Sequence, residues 1–240
     1  MPFLIVSDIH GNREALEAVL ADARGRYDRI VCLGDLAGYG ADPNYIVEWA
    51  RANVSAIVRG NHDKLCVGLE SFYSYRPAAR AAAEWTVNAL SAENKIYLER
   101  LPRGPLPYEG FDLVHGSPLD EDEYLMTTGD VAAIHHEIET PLSFFGHTHL
   151  QGGFLIARNS VKPIDRRLVL ELEGRYTYLV NPGSVGQPRD GDPQAAYAIY
   201  SPKERVVEFR RVAYDAAAAA RKIRAAGLPE SLASRLLTGV

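Results

Sequence analysis

The sequence predicts an α/β fold in which a largely parallel sheet is backed by a second, antiparallel one. Three observations point to it. Up to about residue 150, short apolar runs alternate with stretches of helical periodicity, the pattern of parallel strands joined by crossover helices. Beyond His149, the apolar runs mostly alternate with polar residues and are separated by tight turns, as in antiparallel strands with one solvated face. Five apolar runs of the first part also end in Asp, Asn or His, so one sheet edge gathers polar side chains that core packing does not need.

Residues 3–7 are short, continuous and apolar and form the first buried strand, with residues 8–11 as its exit loop. Leu16, Val19, Leu20 and Ala23 recur at helical spacing, which predicts a helix over 13–24. Residues 29–33 are the second strand, followed by Gly34-Asp35 and the loop LAGYGADP. Pro43 opens a helix at its first turn, running to residue 53. Residues 55–58 are the third strand and lead into Arg59-Gly60-Asn61-His62-Asp63. Residues 64–76 break the rhythm and are rich in aromatics. Helices follow over 78–90 and 92–100, after which Pro102, Pro105 and Pro107 force an extended connection. A strand at 111–114 ends at His115-Gly116, the charged loop LDEDEY leads to a helix over 130–139, and a strand at 142–145 ends in Gly146-His147-Thr148-His149. Strands at 154–157, 168–173, 176–180, 196–200 and 206–212 build the second sheet, and helices over 215–226 and 230–237 complete the reading.

The chain has 240 residues, 47% hydrophobic and 24% charged, enough for one large core. No linker-like segment divides the polar strand ends, so a single domain over 1–240 is expected. The net charge is −5 and no run of Lys or Arg is present, which excludes the clustered positive charge that long nucleic acid requires. Cys32 and Cys66 make no CxxC pair and no disulfide framework, which fits a reducing compartment. The N-terminal apolar run is too short for a signal peptide or membrane span and lacks basic residues before it. A cytoplasmic protein without a membrane partner is expected.

The polar strand ends carry the chemistry. In an open α/β sheet, ligands bind outside the carboxyl ends of the strands. The donors there are Asp8, His10, Asp35, Asn61, His115, His147 and His149. Each alone is a weak signal, since a lone Asp caps helices and a lone His is commonly a hydrogen-bonded core residue. Two carboxylates, four imidazoles and one amide are too many for one metal ion and suit two if a carboxylate bridges. An N/O set without thiolate points to Mn, Fe, Zn, Co or Ni, and away from Ca or a Cys-rich structural zinc site. Cys66 is left out of the set.

DIHG, GD, GNHD, HGS and GHTH, in this order, resemble the signature of the calcineurin-like metallophosphoesterases, over about residues 4–150. The stretch NPGSVGQPRD, residues 181–190, is similar to a later motif of the small bacterial and archaeal branch. The resemblance implies a two-sheet β-sandwich flanked by helices, in four layers (α-β-β-α). It also implies two divalent metal ions, one taking Asp8, His10 and His149 and the other Asn61, His115 and His147, with Asp35 bridging; manganese is the first expectation. Two such cations lower the pKa of a bridging water, so that hydroxide can attack phosphorus. His62 is then a general acid or charge stabiliser acting on the substrate, and Asp63 a residue that could hold its ring, with a plain turn or helix cap as the competing role. The implied function is a phosphoesterase acting on small phosphodiesters or phosphomonoesters, nucleotide-derived. A dinucleoside polyphosphate hydrolase is the alternative, and a non-catalytic metal-binding scaffold is the reading of another class. The phosphoprotein phosphatases carry GDxxDRG, and here the stretch is Gly34-Asp35-Leu36-Ala37-Gly38-Tyr39-Gly40, which argues against that branch.

Other residues have competing roles. Arg59, beside GNHD, is a candidate substrate contact together with Asn61 and His62, with a surface ion pair as the competing role; Arg189 poses the same choice. Phe72, Tyr73 and Tyr75 are a candidate base-stacking lip or simple packing. His135 and His136 lie on a helix away from any strand end and are expected to be non-ligands. NPGSVGQPRD is expected to brace the GHTH loop. Ile223, Leu228, Leu232, Leu236 and Leu237 are expected to pack the C-terminal helices, with a homodimer contact as the lesser reading.

Overall fold

The computed structural model describes residues 1–158, 160–166 and 169–240; the side chain of Ser74 is outside this description. The chain runs β1 (Phe3–Val6), α1 (Arg13–Asp22), β2 (Arg29–Cys32), α2 (Pro43–Asn53), β3 (Ala56–Ile57), α3 (Asn61–Cys66), α4 (Pro77–Ala89) and α5 (Ala92–Glu99). It continues with β4 (Leu106–Tyr108), β5 (Phe111–Leu113), α6 (Thr128–Ile134), β6 (Leu142–Phe144), β7 (Gly152–Ala157), β8 (Ser160–Pro163) and β9 (Val169–Glu171). β10 (Thr177–Asn181), β11 (Ala195–Ser201), β12 (Val206–Val212), α7 (Ala216–Ala225) and α8 (Glu230–Arg235) follow. Leu168, inside the predicted strand 168–173, lies outside the described residues. The expected helix over 130–139 is α6 followed by a 3-10 turn, His135–Glu137.

Two six-stranded mixed sheets form, in the orders β3-β2-β1-β11-β12-β9 and β4-β5-β6-β10-β7-β8. This corrects the expected division into a parallel sheet from the first part and an antiparallel sheet from the second. β11 pairs antiparallel with β1, Ile5 opposite Ala198, and β10 pairs parallel with β6. The first sheet thus joins a parallel half, β3-β2-β1, to an antiparallel half, β11-β12-β9, while the second has a parallel centre, β5-β6-β10, flanked by antiparallel β4 on one side and β7-β8 on the other. β5 and β6, read as continuing the first sheet, belong to the second. β4 and β8 were not foreseen; they lie at sheet edges and contain Pro107 and Pro163, where a missing N–H is tolerated.

The period of two along β1 sorts the layers. Phe3 and Ile5 face the second sheet and pack with Val31, Phe111, Leu113, Phe144, Val180 and Tyr200. Leu4 and Val6 face the other way, against Ala15, Leu16 and Val19 of α1 and Ile46 and Val47 of α2. On the outer face of the second sheet, Val131 and Ile134 of α6 pack on Phe154, Ile156 and Leu179. The result is helix, sheet, sheet, helix. Ile223, Leu228, Leu232 and Leu236 are buried with Tyr39, Ala79 and Ala82, as packing required, while Leu237 is about half exposed. No helix among the described residues is long and apolar enough to cross a membrane.

Between β10 of one sheet and β11 of the other, the NPGSVGQPRD stretch crosses the strand ends. Asn181 donates to Gly146 O (2.9 Å) and Thr148 Oγ1 (3.0 Å), bracing the GHTH loop as expected. It also braces the first loop, with Ser184 Oγ donating to Asp8 O (2.8 Å) and Val185 N to Ser7 O (3.0 Å).

Candidate metal centre

Five candidate ligands have left-handed backbones: Asp8 (φ 53°), His10 (50°), Asp35 (55°), His147 (65°) and His149 (60°). Residues with a Cβ rarely adopt this conformation, which costs about 1–3 kcal/mol each unless the surroundings impose it. Here the loops impose it on one another: Asp8 N donates to Gly34 O (3.1 Å), His10 N to Asp35 O (2.9 Å) and Gly186 N to Asp8 O (3.0 Å). The turn at each strand end folds its side chain back over the sheet edge. Gly60 serves differently, by its size. A Cβ there would lie 2.0 Å from Asp35 Oδ1.

The hydrogen bonds fix what each ring presents. Nδ1 of His10, His115 and His149 lies beside a backbone carbonyl, those of Ala37 (3.0 Å), Leu33 (2.7 Å) and Gln187 (2.5 Å). A carbonyl only accepts, so each Nδ1 carries a proton and each Nε2 of a neutral ring is a bare lone pair. His147 is reversed: Nε2 donates to Asp122 O (3.1 Å), which leaves Nδ1 free to coordinate. His10 Nε2 and His149 Nε2 then face each other at 3.1 Å. Asn61 donates through Nδ2 to Tyr75 OH (3.0 Å), so its Oδ1 is turned toward His115 Nε2 at 3.1 Å, a contact that a proton on that ring or a metal ion must mediate. Asp35 Oδ2 is 3.5 Å from both His10 Nε2 and His115 Nε2, and Asp8 Oδ1, buried without a hydrogen bond, is 3.3 Å from His149 Nε2.

Lone pairs this close, in the dry interior, require positive charge between them. Ligand atoms of Asp8, His10, Asp35 and His149 lie within 4.8 Å of one another, as do those of Asp35, His115 and His147. The two groups share Asp35. Such N/O sets fit two divalent transition-metal ions, with each imidazole oriented by a carbonyl behind it. Burial works against ionising Asp35, yet His115 and His62 hold its carboxyl well below the usual range. Burial pushes His10 and His149 down, and His147 to about 3. His115 differs: burial lowers it, but the Asp35 carboxylate prevails and holds it up at about 10.

Two expected roles are corrected. Asp63 does not hold the His62 ring. Its Oδ1 accepts from Leu36 N (2.9 Å) and Ala37 N (3.2 Å), and its Oδ2 from Asp35 N (2.8 Å) and Gly60 N (3.0 Å). It splints the Asp35 loop to the start of α3. Adjacent residues on a helix do not face each other, so Asp63 points back at the helix N-terminus while His62 points elsewhere. Arg59 is not aimed at substrate. It makes a two-pronged pair with Glu121 (2.9 and 2.8 Å), which Lys64 also contacts at 3.2 Å.

His62 is buried, and its Nδ1 has no hydrogen bond among the described residues. Its backbone N donates to Asp35 Oδ1 (2.8 Å), and its ring lies 4.4 Å from Tyr39 and 4.9 Å from His10. Burial pushes it down to about 4, so it is a neutral imidazole. It lines a cavity of about 570 Å³ with Asn61, Tyr75, Tyr124, His147, Arg189 and Arg235. Of the aromatic lip, Tyr75 lines this cavity, Phe72 packs into the core, and Tyr73 is 90% exposed. Sequence reasoning missed Tyr124, which stacks on His147 with centroids 3.7 Å apart, and Tyr39 and Arg235; none sits in a strand-end motif. His135 and His136 stack on each other in the 3-10 turn and do not join the ligand groups.

Comparisons with known proteins converge on one family. The profile of the calcineurin-like phosphoesterase superfamily domain matches residues 1–205. The uncharacterized protein MJ0912 of Methanocaldococcus jannaschii is 36% identical over 247 residues, covering 98% of this chain and 97% of that protein. The crystal structure of a metallophosphoesterase from Sphaerobacter thermophilus is 43% identical and superposes with a TM-score of 0.87, covering 100% of this chain and 99% of the other. The hypothetical protein PH1004 from Pyrococcus horikoshii shares the fold at 20% identity, with a TM-score of 0.80 and coverage of 100% and 98%.

Proposed function

The chain belongs to the calcineurin-like phosphoesterase superfamily, and from that premise we propose that it hydrolyses small phosphodiesters or phosphomonoesters, nucleotide-derived, with two divalent metal ions. One ion is assigned to Asp8, His10 and His149, the other to Asn61, His115 and His147, and Asp35 to both. The observation that carries this reading is the acceptor-to-acceptor contact of His10 with His149 together with the convergence of His115 and Asn61, with Asp35 Oδ2 3.5 Å from both His10 Nε2 and His115 Nε2. Bound there, divalent ions supply positive charge that lowers the pKa of water and neutralises phosphoryl oxygens.

The chain's own residues do the rest. Asp35 and Asp8 enter ionised and set the charge of the site. His62 enters neutral, and its ring lines the cavity, where it can meet the substrate as a hydrogen-bond donor in one tautomer. A phosphate dianion beside it draws a proton onto the ring, which makes it the acid for the departing oxygen. Tyr75 orients Asn61 through the amide NH2, and the stack of Tyr124 on His147 closes one wall. A cavity of about 570 Å³ suits a ligand of nucleotide size.

The test is hydrolysis of p-nitrophenyl phosphate and bis-p-nitrophenyl phosphate by metal-stripped protein resupplied with Mn or Ni. Activity restored by metal supports the reading, and the preferred ester separates monoesterase from diesterase. No turnover with two ions bound would leave the polyphosphate hydrolase or the non-catalytic scaffold. His62→Ala is expected to keep both metals and lose rate, least with good leaving groups; loss of metal instead would contradict its assigned role.

A further inference from the structure

Resting on the phosphoesterase reading, we propose that Arg189 and Arg235, with Arg76 at the rim, form a second anion subsite, and that the substrate carries a further phosphate beyond the one that reacts. All three line the cavity over the candidate metal centre. Arg189 and Arg235 are half-buried and share one neutral partner, Gln187 Oε1, at 3.0 and 3.2 Å. The Nε of each is buried and without a hydrogen bond among the described residues. Neither has a carboxylate within ion-pair distance there.

The acidic groups of the same cavity do not compensate them. Asp122 is bound by Lys64 at 2.5 Å, and Glu70 lies 3.7 Å from the same ammonium. The carboxylates are neutralised on one side, and the guanidiniums are left uncompensated on the other, in a protein whose net charge is −5. Two like charges side by side in a half-dry site, with donors unused, are held at a cost that a bound anion removes. Guanidiniums suit phosphate because their planar N–H groups match its oxygens.

Position ties this pair to the reaction. The Arg189 guanidinium lies 5.6 Å from the Tyr39 ring centroid, and the same ring touches His10 and His62 at 4.6 and 4.4 Å. The Tyr39 ring thus neighbours both Arg189 and the metal-centre residues His10 and His62. That spacing suits a second phosphate on the same molecule, as in a nucleoside bisphosphate or polyphosphate.

The test is competition against p-nitrophenyl phosphate turnover by the metal-loaded enzyme, comparing adenosine 5′-monophosphate with adenosine 3′,5′-bisphosphate. The bisphosphate is expected to inhibit about tenfold more strongly, the scale of one added charge-assisted contact. Arg189→Gln and Arg235→Gln are each expected to abolish that difference, while Arg29→Gln, a like loss of charge at an arginine paired with Glu109, preserves it. A difference that survives in both arginine variants, or equal inhibition by the two nucleotides in the wild type, overturns the subsite while leaving the phosphoesterase reading intact. Absence of any metal-restored turnover would instead overturn that reading. Circular dichroism of each variant, matching wild type, ties the loss to binding rather than to folding.

Discussion

Replacing Asp63 by Asn separates a structural carboxylate from a catalytic one. The side chain is fully buried and accepts four backbone N–H bonds, two on each oxygen. In the amide, one oxygen serves one pair, and the NH2 group meets the other pair donor to donor. Two charge-assisted bonds are lost, each worth about 1.5–3 kcal/mol, and their buried N–H donors are stranded. The loss of about 3–6 kcal/mol is a large part of a total stability of about 5–15 kcal/mol. For a chain of this size it corresponds to a fall in melting temperature of about 6–24 °C. Because the bonds splint the Asp35 loop, metal content should fall with it. Calorimetric melting beside metal analysis is the assay. A variant that melts within about 3 °C of wild type, keeps both metals and loses only turnover would refute this account. It would restore Asp63 as a residue acting on His62.

Three further outcomes follow from the geometry. Gly60→Ala places a Cβ 2.0 Å from Asp35 Oδ1, at an ordinary extended backbone, so activity should fall at least about tenfold by displacement of the shared carboxylate; wild-type kinetics would show that Asp35 does not need that position. Arg59→Gln should lower stability by about 1–3 kcal/mol through loss of the Glu121 pair while KM stays within a few-fold; a KM rise of tenfold at unchanged stability would return Arg59 to the substrate site. His115 is held up at about 10 in the metal-free site, above its unfolded value, so its contribution is full below pH 6.5 and lost as pH rises through about 10. Metal-free protein should lose stability over that window, and metal loading at pH 8 should release at least one proton, read by titration calorimetry in buffers of different ionisation enthalpy; no release would mean that His115 is not a ligand.

The strand ends were legible because each motif joins a local turn to a ligand side chain, and Asp8, His10, Asp35, Asn61, His115, His147 and His149 do converge. The partition of strands between sheets was not legible. Nothing local in residues 195–201 says that β11 pairs with β1, since either sheet offers an apolar face. For Arg59 the sequence offers an ion pair or a substrate contact and does not name the partner, because Glu121 lies 62 residues away in a loop whose path depends on the fold. For Asp63 the sequence leaves two roles open, a support for the His62 ring and a helix cap; the structure shows the second, because neighbours at a helix start do not face each other. Arg235 carries no motif: only the packing of α8 beside Tyr39 brings it to the cavity.

The central claim is that Asp35 stands between two metal ions. Diffraction from crystals grown with manganese, recorded where manganese scatters anomalously, tests it most directly. The account predicts two peaks about 3.5–4 Å apart on either side of Asp35 Oδ2, one beside Asp8, His10 and His149, the other beside Asn61, His115 and His147. A single peak, or two that do not share Asp35, would contradict it.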